Sequence, residues 1–216
     1  MTIGASPRRL PLGVVLAGGA SRRMGRDKAL LRLDRLDGRP ALLERAVATL
    51  RVAGLEEVTV VVSTSERGQS LREALPRLCD TPFLTDEAPG CGPLGGLHAA
   101  LRAFPGRDLL LVACDMPHLD ARALRLLTAP SDDDIVAPRV SGRDQPLHAR
   151  YGPACLPVAT RLLQEGRIAM RDLLSAPTLR VRTLDDAELA RHGVPARAFA
   201  NVNTPADLAA LADADG

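Results

Sequence analysis

At 216 residues the chain is long enough to bury a sizeable core in one domain, and its 46 % hydrophobic and 25 % charged residues are those of an ordinary globular protein. The net charge of +2 comes with arginines scattered along the chain rather than in blocks, which argues against a nucleic-acid or membrane surface. Aromatics make up only 2 %, which weakens base stacking on single strands and leaves the core to Leu, Val and Ala.

In chain order, short apolar runs alternate with amphipathic stretches. Residues 1–11, "MTIGASPRRLP", are expected to form a flexible N-terminal extension of a single domain spanning 1–216. "LGVVLA" (Leu12–Ala17) reads as a buried strand, and it is too short for a signal segment. "ALLERAVATLRVAG" places Leu42, Leu43, Ala46, Val47 and Leu50 on one helical face and stops at Gly54, a C-cap. "VTVVVS" (Val58–Ser63) is a second buried strand, running into the polar loop "STSERG". "GPLGGLHAALRAF" reads as a helix, "DLLLVAC" (Asp108–Cys114) as a third buried strand, and "LDARALRLLTA" as a helix. The second half is less regular. "DIVAPRV" and "PLHARYG" are read as a hairpin across "SGRDQ", and "LRVRTL" (Leu179–Leu184) as an edge strand. Thr204 as N-cap, Pro205 at the first helical position and Asp207 near the positive dipole end start a closing helix.

This alternation predicts an α/β fold, a Rossmann-like three-layer sandwich around a mostly parallel sheet with right-handed crossovers. Ligands of such sheets bind at the carboxyl ends of the strands, where the glycine stretch, "STSERG" and "CDMPHLD" all fall. Cys79, Cys91, Cys114 and Cys155 are far apart and the histidines equally dispersed, matching neither a zinc site nor a disulfide framework. They read as buried or incidental thiols. No run approaches the ~18–20 apolar residues of a membrane span, so a cytoplasmic protein is expected, with no membrane or nucleic-acid partner.

The stretch "LAGGASRRMGRDKALL" holds Lys28, the only lysine among 28 basic residues. Gly18 and Gly19, then Arg22, Arg23, Gly25 and Lys28, supply close backbone approach and cations for a phosphate; the alternative is a solvated glycine turn. In a chain that otherwise writes arginine, a compact ammonium at position 28 points to a charge on phosphate oxygens. Two known loops fail on spacing. Five residues separate Gly19 from Gly25 and Ala29 follows Lys28, against the Walker pattern. Adjacent glycines, and a second strand ending in Ser63-Thr64-Ser65, do not make a dinucleotide fingerprint.

From Leu16 to Lys28 the chain resembles the molybdenum cofactor guanylyltransferases, whose opening reads Leu-Ala-Gly-Gly-x-x-x-Arg-Met-Gly-x-Asp-Lys. Gly-Pro-Leu-x-Gly at Gly92–Gly96, Asp-Met-Pro at Asp115–Pro117, Gln-Pro-Leu at Gln145–Leu147 and Asn-x-Asn-Thr-Pro at Asn201–Pro205 follow in that family's order. The resemblance implies a nucleotide-diphospho-sugar transferase-like fold that joins GMP from GTP to the terminal phosphate of molybdopterin, releasing pyrophosphate. By the same resemblance, Leu16, Ala17, Gly18, Gly19, Lys28, Ser63, Asp86 and Asp115 contact the nucleotide. Lys28, Arg23 and Asp115 are the catalytic set, and Arg22, Gly25, Gly92, Gly96, Gln145, Asn201 and Asn203 face the second substrate.

Asp115 closes an apolar strand, where a carboxylate is costly unless solvated, paired or metal-bound. The family holds Mg²⁺ with it; the other reading is a helix cap before Pro117. Magnesium keeps waters and substrate phosphates, so one carboxylate suffices, with Asn203 as a second ligand, a substrate contact or a bond organising the helix start. A carboxylate can accept both guanine N–H donors, and the resemblance places that contact at Asp86, with the adjacent Glu87 as the alternative. Where the family commonly has Asn-x-Asn after the second strand, this chain reads "STSE", leaving Ser63 or Ser65 to serve. Asp132-Asp133-Asp134 reads as a solvated loop. A phosphate nucleophile is already ionised, so no general base is needed, and the site offers no obvious histidine or carboxylate pair.

Two rivals remain. A cytidylyltransferase of the same superfamily would use CTP; those relatives read Leu-Ala-Ala-Gly where this chain has Leu16-Ala17-Gly18-Gly19, which favours GTP. A non-catalytic nucleotide sensor would bind without releasing pyrophosphate, and retention of both Lys28 and Asp115 argues against it. A monomer is expected, with transient contact to molybdoenzymes or their chaperones.

Overall fold

Strands that are apolar along their whole length can be covered on both faces, and they become the middle of the sheet. In the computed structural model, which describes residues 9–18, 27–32, 40–86, 88, 90–202 and 207, β1 (Leu12–Leu16), β2 (Val58–Val62) and β4 (Leu109–Ala113) lie side by side and parallel. With β3 (Phe83–Thr85), β5 (Ile135–Val140), β6 (Arg143–Asp144), β7 (His148–Tyr151) and β8 (Val181–Leu184), the described strands form one sheet in the order β3-β2-β1-β4-β7-β5-β6, β8 pairing with β5.

Alternation along each strand divides the interior into two cores. Val15, Leu110 and Val112 join Val47 and Leu50 of α1 (Leu42–Val52), Leu71 of α2 (Ser65–Ala74) and Leu124 of α4 (Ala121–Thr128). On the other face, Val14, Leu109 and Leu111 join Leu97 of α3 (Gly92–Ala103), Leu162 of α5 (Cys155–Gln164) and Leu173 of α6 (Met170–Leu174). The expected three layers are present. A short α7 (Asp186–Arg191) follows β8.

The helix ends follow local chemistry. Gly54 takes φ +99°, and the Leu55 amide reaches back to Leu50 O (3.1 Å), closing α1 as its glycine foretells. At the other end of α1, the buried Glu44 carboxylate accepts the Ala41 amide at 2.7 Å. Asp120 caps α4 through the Arg122 amide (2.8 Å).

The structure corrects the sequence reading in three places. "STSERG" is not a loop: Thr64 caps α2, which begins at Ser65 and runs through Gly68. The three central strands stop one residue short of the expected ends, because Ala17, Ser63 and Cys114 already turn into the connections. The expected hairpin forms, Ile135 opposite Tyr151, but β7 also inserts antiparallel against β4 inside the sheet. The edge strand β8 is where "LRVRTL" puts it. Among the described residues no helix is long and apolar enough to cross a membrane. Residues 1–8 of the expected extension and the Thr204-Pro205 helix start lie outside the described residues.

Candidate active site

The ends of the parallel strands are laced together by backbone hydrogen bonds alone. The Cys114 amide donates to Leu16 O (3.1 Å), Ala17 to Val61 O (2.8 Å), Asp86 to Val62 O (2.7 Å) and Ala113 to Leu147 O (3.0 Å). Above this edge opens a cavity of about 420 Å³, within the range of small-molecule sites. Its walls include Leu16, Gly18, Lys28, Ser63, Asp86, Gly92, Gly96 and Asp115, eight residues expected from sequence, drawn from five separate segments. Ala17 lies beneath the rim, buried.

Lys28 opens a one-turn 3-10 helix (Lys28–Leu30) capped by Asp27, whose Oδ1 accepts the Ala29 amide at 3.0 Å. That turn aims the Lys28 ammonium at Asp115: Nζ donates to Oδ2 at 2.9 Å. Both side chains keep just under a fifth of their surface exposed, 18 % and 19 %, so the pair is partly desolvated yet open to a ligand. Asp115 carries a second tie, its carbonyl accepting the Val202 amide at 2.9 Å. This brings the closing Asn201 segment to the end of β4.

Helix α3 starts at the cavity with Gly92, at φ +61°, and Pro93, and presents the positive end of its dipole there. Its glycines are spacers. A Cβ on Gly96 would stand 2.9 Å from Leu16 Cδ2, closing the helix–strand contact, and one on Gly95 would stand 2.8 Å from Asp86 Oδ2. Gly95 thus makes room for the Asp86 carboxylate, whose other oxygen accepts the Ala88 amide at 2.9 Å.

Cys114, beside Asp115, has its thiol pushed up to about 12 by burial and then by the Asp115 charge, so it stays protonated and is no nucleophile. Cys155 is likewise raised to about 12 by burial. Cys79 and Cys91 are also free thiols, and no disulfide framework exists. His148 is fully buried in β7, its ring 4.7 Å from that of Phe199, with neither nitrogen hydrogen-bonded among the described residues. Burial lowers it to about 3, against a smaller opposing pull from Asp120. It is a neutral core residue. In the acidic run, Asp134 accepts the Arg180 amide (2.8 Å) and lies below the usual carboxylate range because of Arg180.

Of the remaining expected residues, Gln145 sits after β6, its side-chain amide donating to Arg143 O (3.2 Å), and Asn201 is exposed; neither lines the cavity. Ser65 is the first residue of α2. Gly19, Arg22, Arg23, Gly25, Glu87 and Asn203 lie outside the described residues. Leu147, from the Gln-Pro-Leu segment, also lines the cavity, as do Asp27 and Arg67, to which the sequence assigns no role. Asp27 stands inside the matched opening motif without a role, and Arg67 is one arginine among many in a segment whose polarity predicts a loop.

As for a metal, the donor set fits one mode. Among the described residues no group of three or more His, Cys, Asp or Glu gathers, which argues against an all-protein cage. A single hard carboxylate facing a ligand cavity suits an ion completed by phosphate oxygens and water.

A ligand-sized cavity at the edge of a parallel sheet is where α/β proteins bind nucleotides, and the chain belongs to the MobA-like NTP transferase domain family, whose model matches residues 13–183. It is a nucleotidyltransferase. A Pelotomaculum thermopropionicum protein named "Probable molybdenum cofactor guanylyltransferase" is 35 % identical over 91 % of this chain and 89 % of its own length. The crystal structure of molybdopterin-guanine dinucleotide biosynthesis protein A from Archaeoglobus fulgidus superposes with a TM-score of 0.76 at 25 % identity, over 94 % of this chain and 97 % of that one. A Mycobacterium tuberculosis protein in complex with manganese shares the fold, with a TM-score of 0.66 at 21 % identity over 95 % and 99 % of the two chains.

Proposed function

We propose that the enzyme transfers GMP from GTP to the terminal phosphate of molybdopterin, forming molybdopterin guanine dinucleotide and pyrophosphate. The observation that carries the reading is Lys28 Nζ 2.9 Å from Asp115 Oδ2 at the rim of a ligand-sized cavity, in a member of this family. Support for the acceptor comes from the names of the relatives and from the motif order of the chain.

In the reaction an oxygen of the acceptor phosphate forms a bond to the α-phosphorus while the bond to the β-phosphate bridge breaks. The acceptor is an anion at neutral pH, so no side chain has to remove a proton. Asp115, with Asn203, is the proposed holder of a divalent ion, Mg²⁺ in this reading, which would neutralise phosphate charge when bound. Lys28 supplies a fixed cation to the same charge, and the start of α3 adds a helix dipole. Asp86 accepts from the guanine edge, and Ser63 is the residue of the "STSE" segment proposed to meet the nucleotide. Gln145 and Asn201 are assigned to molybdopterin from the motifs they stand in.

The test is incubation with molybdopterin, Mg²⁺ and each nucleoside triphosphate in turn, with pyrophosphate as the readout. Release with GTP that requires both molybdopterin and the ion is expected. Release with CTP instead overturns the choice of nucleotide, and binding without any release overturns the enzyme reading.

A further inference from the structure

Arg67 belongs to no motif, yet its side chain makes three hydrogen bonds at the site. It sits in the first turn of α2, its amide donating to the Thr64 cap at 3.2 Å. A cation there opposes the helix dipole, so helix stability does not account for it. The side chain, 19 % exposed, instead lines the cavity. Nε donates to Ala17 O at 2.6 Å, Nη1 to Asp27 Oδ2 at 2.7 Å and Nη2 to Asp27 Oδ1 at 2.9 Å.

Ala17 follows β1 directly, and Asp27 directly precedes Lys28. A single planar fork therefore ties together the two ends of the glycine-rich segment. Each end is itself anchored: the Ala17 amide donates to Val61 O in β2 (2.8 Å), and Asp27 Oδ1 also accepts the Ala29 amide (3.0 Å) that starts the lysine turn. Sheet, Ala17, Arg67, Asp27 and the Lys28 turn make one continuous chain of contacts ending at Asp115. A lysine could reach one of these acceptors but not hold both with the geometry of a bidentate pair.

We propose that Arg67 is a positioning residue for nucleotidyl transfer: by clamping Asp27 to the end of β1 it sets where the Lys28 ammonium stands beside Asp115. The Asp27 carboxylate matches the Arg67 charge, so the effect is placement rather than added positive charge. The inference rests on the transfer reading above, and its test carries a readout that does not.

Arg67→Ala and Arg67→Lys are compared with the wild type by thermal melting, by amide exchange at Ala29–Leu31, and by pyrophosphate release per active site. Expected are a folded variant, exchange at Ala29–Leu31 faster by about tenfold with β1 and β2 unchanged, and kcat lower by roughly 10–10²-fold. Millimolar guanidinium is expected to restore part of the Arg67→Ala rate, which a merely structural loss would not allow. Arg67→Lys is expected to fall nearer to alanine than to wild type; should the alanine variant not fold, the lysine variant carries the comparison. A kcat within about twofold of wild type overturns the proposal, as does unchanged exchange at Ala29–Leu31. If the wild-type chain releases no pyrophosphate, the transfer reading has failed, and the exchange experiment alone decides the clamp.

Discussion

Replacing Lys28 by alanine removes one charge from one end of a 2.9 Å contact, and the size of the effect can be worked out. At an effective dielectric of about 20, opposite unit charges about 4 Å apart attract by about 4 kcal/mol. The Lys28 side chain is 18 % exposed, so water screens part of this and roughly 3–4 kcal/mol is left for charge developing on the transferred phosphate. At ~1.36 kcal/mol per decade that is a loss of about 10²–10³ in kcat. The fold should survive, because the abandoned Asp115 carboxylate faces a cavity it can share with water; Tm is expected to move by no more than a few degrees, about 1 kcal/mol. Lys28→Arg keeps the charge on a broader group and should lose about tenfold. The assay is pyrophosphate release at saturating GTP, molybdopterin and Mg²⁺. Folded Lys28→Ala protein turning over within about threefold of wild type would refute the electrostatic argument.

Three other substitutions separate specificity from stability. Gly95→Ala puts a methyl 2.8 Å from Asp86 Oδ2, so the carboxylate must move; KM for GTP should rise about tenfold with kcat little changed, and an unaltered KM would count against Asp86 as a base contact. His148, held near 3 in the fold against 6.5 for its ordinary value, contributes stability that is complete above about pH 6.5 and is lost as pH falls toward 3, because only the unfolded chain takes up the proton. His148→Leu should therefore cut the loss of stability between pH 7 and pH 5 by roughly 2 kcal/mol in urea titrations; parallel curves for both proteins would contradict this. Glu44→Ala strands the buried Ala41 amide and should cost about 1–3 kcal/mol by the same measurement, without altering KM.

The parts legible in the sequence are those where one residue type has one physical explanation. β1, β2 and β4 are readable because unbroken apolar runs bounded by Gly, Ser and Asp admit little besides buried parallel strands. Asp115 is readable because a carboxylate ending such a run needs a partner, and Lys28 because lysine is so rare here. α2 is not, since Gly68 and Leu71 are its only buried residues and its solvent face reads as loop. β3 spans three half-exposed or exposed residues and leaves no pattern. Arg67 is illegible for a different reason: its importance lies in acceptors 50 and 40 positions away, and no local spacing reports them.

The strand order has a consequence for what the enzyme can be altered to accept. Asp86, Ser63, Gly18 and Asp115 stand at or just beyond the ends of β3, β2, β1 and β4, four consecutive positions in the sheet. Each step between neighbouring strands is fixed by backbone hydrogen bonding at ~4.8 Å. The sheet edge is therefore a ruler whose marks can be rewritten by substitution but whose graduations cannot. A longer or shorter ligand would have to skip a mark or bend. If the proposed nucleotide lies along this edge, loop changes would exchange one base for another, whereas a different distance from base to reacting phosphate would call for a different order of strands.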